Sequence, residues 1–131
     1  MNQKERLVKI VEIEEAIIGL RDDGLMHVYY KPGTEITVPL QLKTYDIFHE
    51  LTKGKRIPFM FEGAADCSIN KEARENAIRM EDSAPARASA VVVNNTAQKL
   101  VADFYYKFNK PKQPFKVVKT FEEGIKWLLT Q

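Results

Sequence analysis

The sequence predicts an α/β domain: a mixed, mostly parallel five-stranded sheet with four helices, in the order β-β-α-β-α-β-α-β-α. Three observations predict it. Short apolar runs alternate with segments whose apolar residues recur at helical spacing, the pattern of strand–helix–strand crossovers. The first two runs meet at Asp22-Asp23-Gly24, and Asp-Gly marks a two-residue hairpin turn, so one strand pair is antiparallel. A residue type that caps helices stands ahead of every helical segment, at Thr37, Asn70, Asn94-Asn95-Thr96 and Thr120.

Taken in order, residues 16–21 and 25–30 are the hairpin strands, and Lys31-Pro32-Gly33 turns the chain out of the second. Thr37 opens a helix whose stripe is Leu40, Thr44, Ile47, Phe48 and Leu51, closed by Gly54. Residues 57–61 form a short strand. Asn70 opens a second helix with Ile69, Ala73, Ala77 and Met80 on one side. Residues 88–93 carry small and β-branched side chains without alternation, as a strand buried on both faces does. The third helix is expected to turn Leu100, Val101, Phe104 and Phe108 to the core. Two prolines make 109–114 a loop, and 115–118 is the fifth strand. Thr120 and Glu123 form a capping box ahead of a helix that buries Ile125, Leu128 and Leu129.

The predicted core is Leu51, Phe59, Val92, Leu100, Phe104 and Leu128. Phe104→Ala is expected to cost roughly 3–5 kcal/mol if the ring is enclosed. Residues 1–13 form an N-terminal arm or strand extension. Leu7, Val8, Ile10, Val11 and Ile13 make it more apolar than a free arm should be, so it either extends the first strand or docks on another subunit. A homodimer with this region at its interface is the expectation.

A chain of 131 residues, 44% hydrophobic and 29% charged, suits a single domain spanning 1–131 that buries roughly two-thirds of its unfolded surface. One cysteine, Cys67, allows no internal disulfide and fits a reducing compartment. The charged N-terminus does not read as a signal peptide. No apolar run approaches the roughly 18 residues of a membrane span, and the expected location is the cytoplasm. Net charge is +2, from 20 basic and 18 acidic residues, too balanced to point to nucleic acid.

Several stretches carry a resemblance. They are Asp22-Asp23-Gly24-Leu25, Tyr30-Lys31-Pro32-Gly33-Thr34, Ser68-Ile69-Asn70-Lys71-Glu72-Ala73-Arg74, Asn109-Lys110-Pro111, and Phe121-Glu122-Glu123-Gly124-Ile125-Lys126-Trp127-Leu128. With the element order, they resemble the STAS (SpoIIAA-like) superfamily, whose relatives include Sec14-like lipid binders, and in particular small bacterial STAS-like proteins. The resemblance implies a bacterial regulatory or binding module. Anti-sigma factor antagonists of that superfamily carry a phosphorylated serine in an Asp-Ser-Ser-Gly-like motif at a helix start. The corresponding stretch here, Asp66-Cys67-Ser68-Ile69-Asn70-Lys71, keeps one hydroxyl and lacks the glycine, so Ser68 is not expected to be a regulatory phosphosite.

Two polar strand-to-helix loops are the candidate ligand-binding sites: Cys67, Ser68 and Asn70 in one, Asn94, Asn95 and Thr96 in the other. Free N–H groups and the dipole at a helix start can hold an anion or activate a thiol. Capping alone explains the same residues. The two loops gain meaning if they face one cleft at the carboxyl ends of the strands. Asp46, His49 and Glu50 lack a second histidine at ligand spacing and read as a solvated helix face, so no metal is expected. Lys107, Lys110, Lys112 and Lys116 near Tyr105 and Tyr106 read as solvated cations beside core aromatics rather than as an RNA or membrane contact. No nucleophile elbow, phosphate loop, dinucleotide fingerprint or zinc signature is present.

The leading expectation is therefore a non-enzymatic module acting through a protein partner, without cofactor, nucleic acid or membrane insertion. The alternative is a small carrier of an apolar or lipid-like ligand, and a weaker one is an enzyme using Cys67. A deep apolar pocket beneath the helices favours the carrier. A filled core with an exposed apolar patch favours the partner module.

Overall fold

A computed structural model describes residues 6–131. The strands are β1 (Leu7–Glu12), β2 (Ala16–Arg21), β3 (Met26–Tyr30), β4 (Glu35–Ile36), β5 (Ile57–Gly63), β6 (Ser68–Ile69), β7 (Ala86–Val92) and β8 (Phe115–Val118). The helices are α1 (Val38–Thr52), α2 (Lys71–Met80), α3 (Thr96–Phe104) and α4 (Phe121–Leu128). A π-helical turn, Tyr105–Asn109, continues α3.

The main sheet has the order β1-β2-β3-β5-β7-β8. β1, β2 and β3 are antiparallel neighbours, and β3, β5, β7 and β8 run parallel. The class is the mixed α/β fold expected, with one correction: the main sheet has six strands rather than five. β4 and β6 form a separate two-stranded parallel ribbon. The extra strand of the main sheet comes from the N-terminal arm, of which residues 1–5 lie outside the described residues. Residues 7–12 neither extend the first hairpin strand nor hang free. They pair along β2, Ile10 opposite Gly19. A Cβ at Gly19 would stand 2.5 Å from a Leu7 methyl, so the missing side chain is what lets β1 close on β2. Val8 and Ile10 stay 61% and 57% exposed on this edge strand.

The hairpin forms where predicted but with a longer loop. Arg21 N donates to Leu25 O at 2.8 Å and Gly24 N to Arg21 O at 3.2 Å, so three residues turn the chain. Gly24 takes φ +84°, the left-handed position such a three-residue loop requires.

Local chemistry sets each helix start. The side-chain oxygens of Thr37, Asn70, Asn95 and Thr120 accept from the backbone N–H three residues on. In the last of these the Glu123 carboxylate returns to the N–H of Lys119 at 3.2 Å.

The two sheet faces differ. Because side chains alternate along a strand, β5 sends Phe59 and Phe61 to one face and Met60 to the other. On the first face Leu40, Phe48 and Leu51 of α1 pack with Phe59, Val28 and Ile18. On the second, α4 lays Leu128, Ile125 and Phe121 on Met60, Ala88, Ala90 and Val118. Leu51, Phe59, Val92 and Leu128 are buried as expected.

Leu100 and Phe104 are not. Leu100 is 65%, Phe104 49% and Phe108 60% exposed, and Leu129 is also outward at 57%. The helix is turned so that Gln98, Val101, Ala102 and Tyr105 face inward, at spacing i, i+3, i+4, i+7. The expectation assigned the inward face to the largest apolar residues. The real inward face is half small and polar, because it fronts open space rather than a packed sheet.

Candidate functional site

That space is a cavity of about 840 Å³ between the sheet and helices α1, α2 and α3. Phe61 and Val91 form its floor, Phe48 and Thr44 one wall, and Ala77, Met80, Val101, Ala102 and Tyr105 the others. The lining is mostly apolar. Its volume lies in the upper part of the roughly 300–1,000 Å³ range of small-molecule sites. β7 explains how the sheet serves both layers: Ala88 and Ala90 pack in the cluster under α4, whereas Ser89 and Val91 line the cavity. The unbroken apolar run read as a doubly buried strand thus has one face in the core and one in the site.

The two polar loops meet at one end of this cavity. Cys67, Ser68, Asn95 and Thr96 line it. Asn70 and Asn94 serve structure instead. Asn70 Oδ1 accepts from Ala73 N at 2.8 Å, and Asn94 Nδ2 donates to Gly63 O at 2.6 Å. Asn95 does both jobs. It caps α3 through Oδ1 and donates from Nδ2 to Ala65 O at 2.8 Å. The Cys67 thiol donates to Lys31 O at 3.1 Å. Ser68 stands in β6 opposite Glu35, exposed, and precedes the helix cap instead of providing it.

Gln98, Arg74 and Tyr30 line the cavity but are not among the candidate site residues that the sequence offers. Gln98 Nε2 donates to Ala64 O at 2.9 Å, and its Oε1 accepts from Asn94 N at 2.9 Å. Arg74 Nη1 donates to Ile69 O at 2.9 Å, and its guanidinium lies 5.8 Å from the Phe104 ring centroid. The signal for Gln98 was present in the spacing Gln98, Val101, Ala102, Tyr105; no comparable signal marked Arg74. Tyr30 is 6% exposed, and burial, with Cys67 close by, pushes its hydroxyl well above the usual phenol value. Burial and the nearby Glu81 push Tyr105 up to about 12. Tyr30 and Tyr105 are therefore neutral O–H groups across the physiological range.

The other titratable candidates lie elsewhere. His27 Nε2 sits 3.2 Å from Glu62 Oε1, and its ring meets Phe121 edge-on at 4.8 Å. The Glu62 carboxylate is thereby held on the α4 side of the sheet. Asp46 and Glu50 are exposed as expected, but His49 is half-buried against Tyr45 at 4.4 Å. Lys107, Lys110, Lys112 and Lys116 are exposed. Tyr106, read as a core aromatic, is 57% exposed and stacks on Phe115 at 5.9 Å. Among the described residues no helix is long and apolar enough to cross a membrane.

No curated protein matches the sequence. Among solved structures it is similar to an uncharacterised protein of the DUF3478 family from Shewanella loihica PV-4, which has a SpoIIAA-like fold. The TM-score is 0.60 and the identity 12%, over 90% of this chain and 97% of that one. The resemblance to SpoIIAA-like proteins therefore holds at the level of the fold. The family described as domain of unknown function DUF7793 matches residues 18–131, and the chain belongs to that family.

Proposed function

We propose that this protein is a non-catalytic binding protein whose ligand is an apolar or lipid-like small molecule held between the sheet and helices α1–α3. The cavity of about 840 Å³ carries the reading. Its lining is mostly apolar, with Phe48, Phe61, Val91 and Met80 among the residues, and its volume falls within the roughly 300–1,000 Å³ of small-molecule sites. On that ground we rank the carrier ahead of the protein-partner module. The latter keeps one observation in its favour, the exposed stripe of Leu100, Phe104 and Phe108 on α3 and its π-helical continuation. Catalysis by Cys67 gains no support from a thiol spent on a backbone carbonyl.

Two measurements test the reading. Native mass spectrometry of protein purified from its own host should show a retained small molecule. Nile red, an uncharged apolar dye, should bind the purified protein with one site, and Val91→Trp, which fills the floor, should abolish it. Dye binding that is equal in wild type and Val91→Trp would overturn the proposal.

A further inference from the structure

Resting on that reading, we propose that the ligand is an amphiphile with an oxyanionic head, and that Arg74 is the residue that selects the head. Among the described residues lining the cavity, Arg74 is the one Lys or Arg. It also lines a second apolar groove of about 250 Å³ with Leu100, Val101 and Phe104. Arg74 therefore borders both the large cavity and this groove beside α3. Its planar fork carries five N–H donors, and among the described residues Nη1 to Ile69 O is the one hydrogen bond its guanidinium makes. The remaining edge is free to take a carboxylate or phosphate oxygen pair, the geometry for which arginine is suited. Neither carboxylate residue that lines the cavity bonds to Arg74 among the described residues. Glu62 is bonded to His27 on the other sheet face, and Asp66 is exposed on its loop. An apolar tail in the cavity with its head at Arg74 leaves no charge buried and no apolar chain in water.

The test is displacement of Nile red by three ligands of equal chain length: hexadecanoate, hexadecyl phosphate and hexadecanol. For wild type, at least one of the two anions should displace the dye at least tenfold better than the alcohol, a difference of about 1.4 kcal/mol. The stronger of the two identifies the head as carboxylate or phosphate. Arg74→Gln should bring the anion to within about threefold of the alcohol while dye binding is kept. Equal potency of all three ligands on wild type, or an anion preference that survives Arg74→Gln, overturns the proposal and leaves the apolar carrier standing. Absence of dye binding to wild type removes the carrier and this inference together. Should Arg74→Gln itself lose the dye, the salt dependence of hexadecanoate binding to wild type decides. Weakening with added salt supports a charged contact, and indifference to salt overturns it.

Discussion

Gln98, in the first turn of α3, uses the two ends of its amide on two connections: Nε2 donates to Ala64 O of the β5–β6 loop at 2.9 Å, and Oε1 accepts from Asn94 N of the β7–α3 loop at 2.9 Å. Nε2 also reaches Ala65 O at 3.2 Å. One side chain thus ties α3 to the loop between β5 and β6, and α3 is the helix that stands off the sheet. Gln98→Leu keeps the bulk and removes the tie, leaving backbone groups without partners. The expected loss is roughly 1–3 kcal/mol in urea denaturation, with weaker Nile red binding because one cavity wall is no longer anchored. Unchanged stability and binding would show that other contacts hold the helix.

Phe59 and Phe104 should behave as opposites. Phe59 is fully buried, with Phe48 at 5.0 Å and Phe61 at 5.7 Å. Phe59→Ala should cost roughly 3–5 kcal/mol. Phe104 is 49% exposed, with Phe108 at 4.4 Å as its ring neighbour, so Phe104→Ala should cost about 1 kcal/mol or less, in the range of surface changes. Denaturation midpoints of the two variants check this directly. A large loss at Phe104 would mean that α3 turns inward in solution.

Asp23 links the hairpin to acid stability. Burial pushes its carboxyl up, but the bonds from Arg21, at 2.7 Å from Nη2 and 3.0 Å from Nε, outweigh it and hold it below the usual value. A carboxyl lowered in the folded state stabilises above its unfolded pKa, and the stabilisation disappears as pH falls through the folded value. Stability should therefore drop on acidification below the ordinary carboxylate range. Asp23→Asn should cost roughly 1.5–3 kcal/mol at neutral pH and flatten that acid limb. Urea midpoints at neutral and acid pH measure both. An acid limb unchanged in Asp23→Asn would assign it to other carboxylates.

These contrasts show which parts of the molecule a sequence displays. Helix starts are local: Thr37, Asn70, Asn95 and Thr120 cap from three residues away, and each was readable. The six-stranded sheet was not, because β1 depends on a contact between Leu7 and Gly19, twelve residues apart, that requires a missing side chain. The orientation of α3 is hidden from the sequence for a related reason. Leu100 and Phe104 are apolar enough for a core, but the helix faces a cavity, and nothing in a one-dimensional pattern separates a face that fills space from one that borders it. Val91 and Ala90 are neighbours of similar chemistry; one borders the site and the other the packing of α4. The polar loops were legible as candidates, whereas their junction through Gln98 needed the fold.

Gly124 separates the packed face from the open one. It lies in α4, buried, where an added Cβ would overlap Met60 and approach Val118 Cγ2 to 3.2 Å. In an exposed helix, Gly→Ala would gain up to about 1 kcal/mol of propensity. Here Met60 is itself fully buried under Leu128 and Ala88, so its side chain can yield only into filled space. Overpacking costs roughly 1–3 kcal/mol, which outweighs the propensity gain. Gly124→Ala should be destabilised by about 1 kcal/mol and Gly124→Val by more, in thermal or urea denaturation. Because α4 covers the face opposite the cavity, both variants should bind Nile red like wild type at temperatures where they are folded. A stabilised Gly124→Ala would show that Met60 has room to move. Lost dye binding in a folded variant would show that the two faces are coupled through β5 and β7.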